Sequence, residues 1–286
     1  MTIKNPIEWS GAQLSHAGQA LSSIGRSLHH IQETIHSPLP VVRRIGVADL
    51  RAALADGFAD FQAYRTDVLF LGVIYAVAGL VLARIAFGME LLPLLFPLAS
   101  GFALVGPLAA IGLYELSRRR EQGAQVTWTN AFDVFRAPAI GGVAVLGTGL
   151  VTLFLLWIMA AWAIFRHTMG PVPPASVAEF AGAVLNTAAG HSMIVIGMGV
   201  GFLFAVLAMS VSVMSFPLLL DRDVGLDTAV KTSVLAVVRN PVPMALWGLV
   251  VAAGLVLGSI PALIGLVLVV PILGHATWHL YRRVIA

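Results

Sequence analysis

Cysteine is absent from this 286-residue chain, and charge is scarce: Asp, Glu, Lys and Arg together make up 11% of it. Without cysteine there is no disulfide scaffold, no thiolate metal site, no iron–sulfur cluster and no covalent c-type haem. Soluble domains carry about 25% charged residues. Half that density argues against a soluble enzyme, and so much apolar surface argues against a disordered chain. Clustered basic charge of the kind that grips nucleic acid is missing as well. The pI of ≈ 9.7 rests on only 17 Lys and Arg against 14 Asp and Glu.

What is present is hydrophobic: 58% of the residues, with a mean hydropathy of +0.90. A membrane-crossing helix needs about 20 mostly apolar residues at 1.5 Å each. Six segments meet that need, roughly 68–87, 91–116, 138–165, 192–220, 242–257 and 259–281. In the first, apolar side chains from Val68 to Phe87 each favour insertion by ~0.3–0.6 kcal/mol, outweighing the ~2.5 kcal/mol cost of Arg84. The fifth is short, and Gly258, Ser259 and Pro261 make it one arm of a tight hairpin. The predicted fold class is all-α, a polytopic membrane protein of six transmembrane helices.

Six crossings put both ends of the chain on one side, and fifteen of the 17 Lys and Arg fall there; only Arg84 and Arg166 fall on the other. By the positive-inside rule that side is the cytoplasm. No cleavable signal is expected, because the first forty residues lack a continuous apolar core.

The segments before the odd-numbered helices resemble one another. Amphipathic stretches at 48–64, 127–135 and 227–238 lead into Arg65-Thr66-Asp67, Arg136-Ala137-Pro138 and Arg239-Asn240-Pro241. Proline suits a helix's first turn, and arginine beside it can snorkel to lipid phosphates. Each even helix carries a proline, at Pro107, Pro217 and Pro271. The unit is therefore an interfacial amphipathic helix plus a transmembrane hairpin, used three times over 45–120, 121–222 and 223–286. These repeats make up a membrane domain, 41–286. Its long outer loop, 166–191, contains Ser176-Val177-Ala178-Glu179, a capping-box pattern.

Residues 1–40 stand apart. Leu14, Ala17, Leu21, Ile24, Leu28 and Ile31 follow a heptad spacing, with Gly11, Gly18 and Gly25 also seven apart. This amphipathic helix suits three uses: lying on the protein's own cytoplasmic face, anchoring on lipid, or docking on a partner. A second partner-facing row is Gly197, Gly201 and Ala205, small residues that let membrane helices pack closely within the chain or against another subunit.

Ion-coupled transport needs ionisable groups inside the bilayer, and no Asp, Glu, Lys or Arg falls near the middle of a predicted span. His275 and His279, spaced i, i+4, share a helix face and are the weak metal candidates. Beside Trp278, Tyr281, Arg282 and Arg283 they also read as an interfacial belt at the lipid headgroups. No nucleophile–base pair, phosphate loop or catalytic carboxylate pair appears, so no enzyme activity and no cofactor are expected, only bound lipid.

Residues 45–65 with the following hairpin, and Phe132-Asp133-Val134-Phe135-Arg136-Ala137-Pro138 before the third helix, resemble domain-of-unknown-function family 2189, bacterial integral membrane proteins. The resemblance spans roughly residues 40–286. Some members carry a cytochrome c oxidase subunit label, yet this chain lacks the intramembrane histidines for two haems and copper. The resemblance thus implies a non-catalytic accessory subunit packing against a larger bioenergetic complex, such as a terminal oxidase or supercomplex. The alternatives are an uncoupled channel or transporter for a small neutral solute, and a haem- or metal-handling assembly factor. Its expected partners are membrane subunits and the lipid bilayer, with no nucleic acid and no soluble substrate.

Overall fold

The computed structural model describes residues 37–63, 91–172, 174–261 and 263–286, with isolated helical positions at Val73, Val77, Leu80, Val81 and Arg84. The heptad segment up to residue 36, Arg65 and most of the predicted first span lie outside the described residues. Among the described residues the secondary structure is helical throughout, apart from one isolated bridge between Val42 and Ile285.

The first helix, α1 (Val47–Ala63), buries Leu50, Ala53, Gly57, Asp60 and Phe61, a 3-4 spacing along one face. The Asp49 carboxylate accepts the Gly46 N–H at 2.8 Å, satisfying a donor that the first turn leaves open. The predicted span 91–116 is not one helix. A 3-10 turn (Leu92–Leu94) leads into α2 (Leu95–Leu104), the single turn α3 (Gly106–Ala109) and α4 (Ile111–Glu121). The breaks at Val105 and Ala110 flank Pro107, whose missing N–H and ring keep the helix from running through.

A 3-10 segment (Trp128–Arg136), started by a Thr127–Asn130 capping box, hands the chain to α5 (Ile140–Met169). At the far end, α6 (Val177–Asn186) starts where predicted: the Ser176 hydroxyl accepts the Glu179 N–H at 3.1 Å. Then come α7 (Ala188–Ser212), α8 (Ser215–Asp221) after a break before Pro217, and α9 (Leu226–Arg239). α10 (Pro241–Ser259) begins on Pro241, and α11 (Leu266–Val284) runs through Pro271 unbroken. The three expected units are thus not alike. Their leading elements are an α-helix, a 3-10 segment and an α-helix, and two of the three prolines follow a break while the third sits inside a helix.

Three helical stretches are long and apolar enough to cross a membrane: Ile140–Met169, Ala188–Asp221 and Pro241–Ser259. They are sparsely covered by the rest of the chain; in the most apolar stretch of Ala188–Asp221 only 6% is buried. The predicted sixth span divides instead. The first half of α11 is apolar, whereas its second half sinks into a dense core with Ala276, Trp278, Leu280, Tyr281 and Val284 fully buried. That core is built by α11 against α1, α4 and α8, and Arg120, Arg282 and Arg283 pair with carboxylates at its edge.

A strap closes this end. Arg43 N–H donates to the Val284 carbonyl at 2.7 Å and Ala286 N–H to that of Val41 at 2.9 Å. Asn240, at the α9–α10 junction, accepts the Ile45 N–H at 2.9 Å and donates to the Arg43 carbonyl at 3.0 Å. Residues far apart in sequence are thereby stitched across the charged face.

Candidate functional site

The most organised chemistry lies where α1, α4 and α11 meet. α1 and α11 touch at Gly57, where even a methyl group would fall 2.4 Å from the Ala276 nitrogen. This close approach brings Asp60, one helical turn further on, against α11. Its side chain is 7% exposed, so its charge must be compensated by the protein.

Three side chains do so. His279 Nε2 lies 2.8 Å and the Ser117 hydroxyl 2.5 Å from Asp60 Oδ2, and the Arg120 guanidinium pairs with Oδ1. Ser117 also lies 2.7 Å from His275 Nδ1. A hydroxyl carries one proton; once Ser117 gives it to the carboxylate, its oxygen accepts the His275 Nδ1–H. His279 likewise donates through Nε2–H. Burial pushes the Asp60 carboxyl up, but the hydrogen bonds from His279 and Ser117 and the charge of the neighbouring imidazoles outweigh it, holding the group below the ordinary carboxylate value.

The two histidines predicted as weak metal ligands therefore do converge, but on a carboxylate and a hydroxyl. Among the described residues no group of three or more His, Cys, Asp or Glu is arranged to hold a metal ion. Arg282 and Arg283, expected at lipid headgroups, are turned onto carboxylates. Arg282 bridges Glu121 at 3.0 Å and Asp221 at 3.1 Å, while Arg283 reaches Asp56 at 2.7 Å. Tyr281 donates to the same Asp221 at 2.6 Å. Arg239 donates to the Val42 carbonyl at 3.3 Å. Arg136 alone of the described headgroup arginines is wide open, its side chain 85% exposed and 3.1 Å from Asp133.

Beside this network an open cleft of ≈ 540 Å³ lies between the end of α4, the start of α5 and the end of α8. Its charged lining is balanced: Arg118, Arg119, Arg136 and Arg222 against Glu115, Asp133, Asp221 and Asp223. Glu115 takes both Arg118, at 2.8 Å, and Arg119, at 2.6 Å. Pro138, Leu219 and Leu220 supply an apolar part of the wall.

The partner-facing row separates. Gly201 packs under Trp157, where an added methyl would come within 3.0 Å of the indole, and Trp157 itself leans on Phe204 at 5.6 Å. Gly197 has nothing within 4 Å of the place where a Cβ would be, and Ala205 is exposed. Leu14, Ala17, Leu21, Ile24, Leu28 and Ile31 lie outside the described residues, as does Arg65.

Sequence reasoning missed Asp60, Ser117 and Glu115 as buried partners. Asp60 lies in phase with Asp49 and Asp56 as well as with Ala53, so the periodicity of α1 does not set it apart from the polar face.

Compared with known proteins, residues 95–221 match the model of a family described as "Predicted integral membrane protein (DUF2189)", the family that the sequence resembles. The matched stretch contains Phe132–Pro138 and leaves residues 45–65 outside it. No curated protein and no solved structure matches the chain.

Proposed function

From a match to integral membrane proteins and a body with several membrane-length helices, we propose that this chain is a non-catalytic structural subunit of the bacterial inner membrane. It packs against a larger membrane complex, crosses the bilayer six times and keeps both ends in the cytoplasm. The observation that carries the reading is the bareness of α7. Val195, Phe202 and Leu203 are 71%, 67% and 66% exposed, Ala205 is exposed too, and nothing lies within 4 Å of the place where a Cβ on Gly197 would be. Lipid covers large apolar side chains readily, but small residues on a bare helix suit the close approach of a second helix. Most charged side chains gather at one end, and the described long helices carry no Asp, Glu, Lys or Arg near their middles.

The test is purification of the tagged chain in mild detergent followed by mass spectrometry of its companions. Stoichiometric membrane partners are expected, and Gly197→Leu should release them while the chain still elutes as a folded species. The oxidase label carried by some members of the resembled family names the first companions to look for. A monodisperse protein with no companions, in several mild detergents, overturns the reading.

A further inference from the structure

We propose that the cleft between α4, α5 and α8 binds the headgroup of a zwitterionic phospholipid carrying a primary ammonium, as phosphatidylethanolamine does. The first support is position. Pro138 and Ala139 in its wall lead directly into α5, and Leu219 to Asp221 close the stretch Ala188–Asp221, so two membrane-length helices end at the cleft. It sits where such helices leave the hydrocarbon. Next to it Phe132 and Phe135, 45% and 69% exposed, stack with their rings 6.5 Å apart, an aromatic pair suited to the headgroup level.

The second support is charge. With equal numbers of guanidinium and carboxylate groups the lining is neutral, so a zwitterion enters without leaving an uncompensated charge. An anionic headgroup or a free phosphate would add one. The lipid phosphate suits Arg136, which spends Nη1 on Asp133 and is otherwise open, together with Arg222, which lines the same cleft and spends Nη2 on the Ala286 carbonyl and Nε on Asp221. The ammonium suits Asp133, whose side chain is 25% exposed and already bonded to Asn130, Arg119 and Arg136, together with Asp223 in the same wall. A primary ammonium donates three N–H bonds to such carboxylates, whereas a trimethylammonium donates none. Selection of phosphatidylethanolamine over phosphatidylcholine follows. The proposal needs only that the chain be a membrane protein and is independent of any partner complex.

Native mass spectrometry of the full chain, titrated separately with phosphatidylethanolamine, phosphatidylcholine, phosphatidylglycerol and inorganic phosphate, tests it. Phosphatidylethanolamine should bind roughly tenfold more tightly than phosphatidylcholine, the loss expected when charge-assisted hydrogen bonds are removed. Asp223→Asn should abolish that preference, whereas Arg136→Gln should weaken both zwitterions alike. Lys231→Gln, which removes a positive charge on α9 away from the cleft, should leave it intact. Equal binding of the two zwitterions, preference for phosphatidylglycerol, or saturable binding of inorganic phosphate at this cleft would each overturn the assignment. A preference that survives Asp223→Asn would do the same.

Discussion

Asp60 is charged, nearly removed from water and shared by three helices, so its replacement tests the buried end more directly than any other single change. Asp60→Asn keeps the shape but leaves Arg120 and His279 facing a neutral amide. The expected loss is about 2–4 kcal/mol, read as a lower Tm of the detergent-purified chain. Breaking the exposed Lys231–Asp227 pair should cost at most about 0.5 kcal/mol. The pH dependence follows from the lowered Asp60 carboxyl. A carboxyl lowered by folding contributes its full stability above the unfolded value of about 3.9 and loses it as pH falls through the folded value. The Tm gap between the native chain and Asp60→Asn should therefore narrow below about pH 4. A gap that stays constant into stronger acid would show that another group governs the effect.

At the scale of the element, the α1–α11 contact depends on Gly57. Alanine is the better helix former by about 1 kcal/mol, so Gly57→Ala would stabilise an isolated α1. Here its methyl would meet the backbone of Ala276, and the expected result is a net loss of stability with faster proteolysis near α1. Gly46→Ala, with nothing within 4 Å, is the comparison that should leave both unchanged. Among the elements, α5, α9 and α10 were the most legible in sequence. Expected at 138–165, 227–238 and 242–257, they run over Ile140–Met169, Leu226–Arg239 and Pro241–Ser259. Long uniform apolar runs and a proline in the first turn announce such helices plainly. The interruption of 91–116 was less legible, because hydropathy counts side chains and is blind to the N–H that Pro107 lacks. The 3-10 geometry of Trp128–Arg136 was hidden for a related reason: residues three apart share a face in either kind of helix.

For the molecule as a whole, the lack of cysteine turns topology into a clean measurement, since any thiol introduced is the only one present. Val172→Cys, on the exposed far loop, should react with a membrane-impermeant maleimide in intact cells. Gln122→Cys, exposed at the end of α4, should react only after permeabilisation. The reverse pattern would invert the proposed orientation. Charge placement along the sequence located the face where arginines gather, but not what they do there. Arg282 and Arg283 read as lipid-seeking because their partners, Asp56, Glu121 and Asp221, lie 61 or more positions away. Pairing over such distances is set by packing, which no local pattern records. The Asp60 network was illegible on the same ground.

The strap and the α1–α11 contact also set an order of events during synthesis. α1 is complete at Ala63, yet the surface that buries Asp60 and receives Gly57 belongs to α11, which begins at Leu266. At about 5–20 residues per second the ribosome needs roughly 10–40 s to supply it. Through that interval α1 carries an apolar stripe and a carboxylate with no fitted seat, and must wait on a lipid surface or in the hands of a chaperone. α11, made about two hundred residues later, is the helix that locks α1.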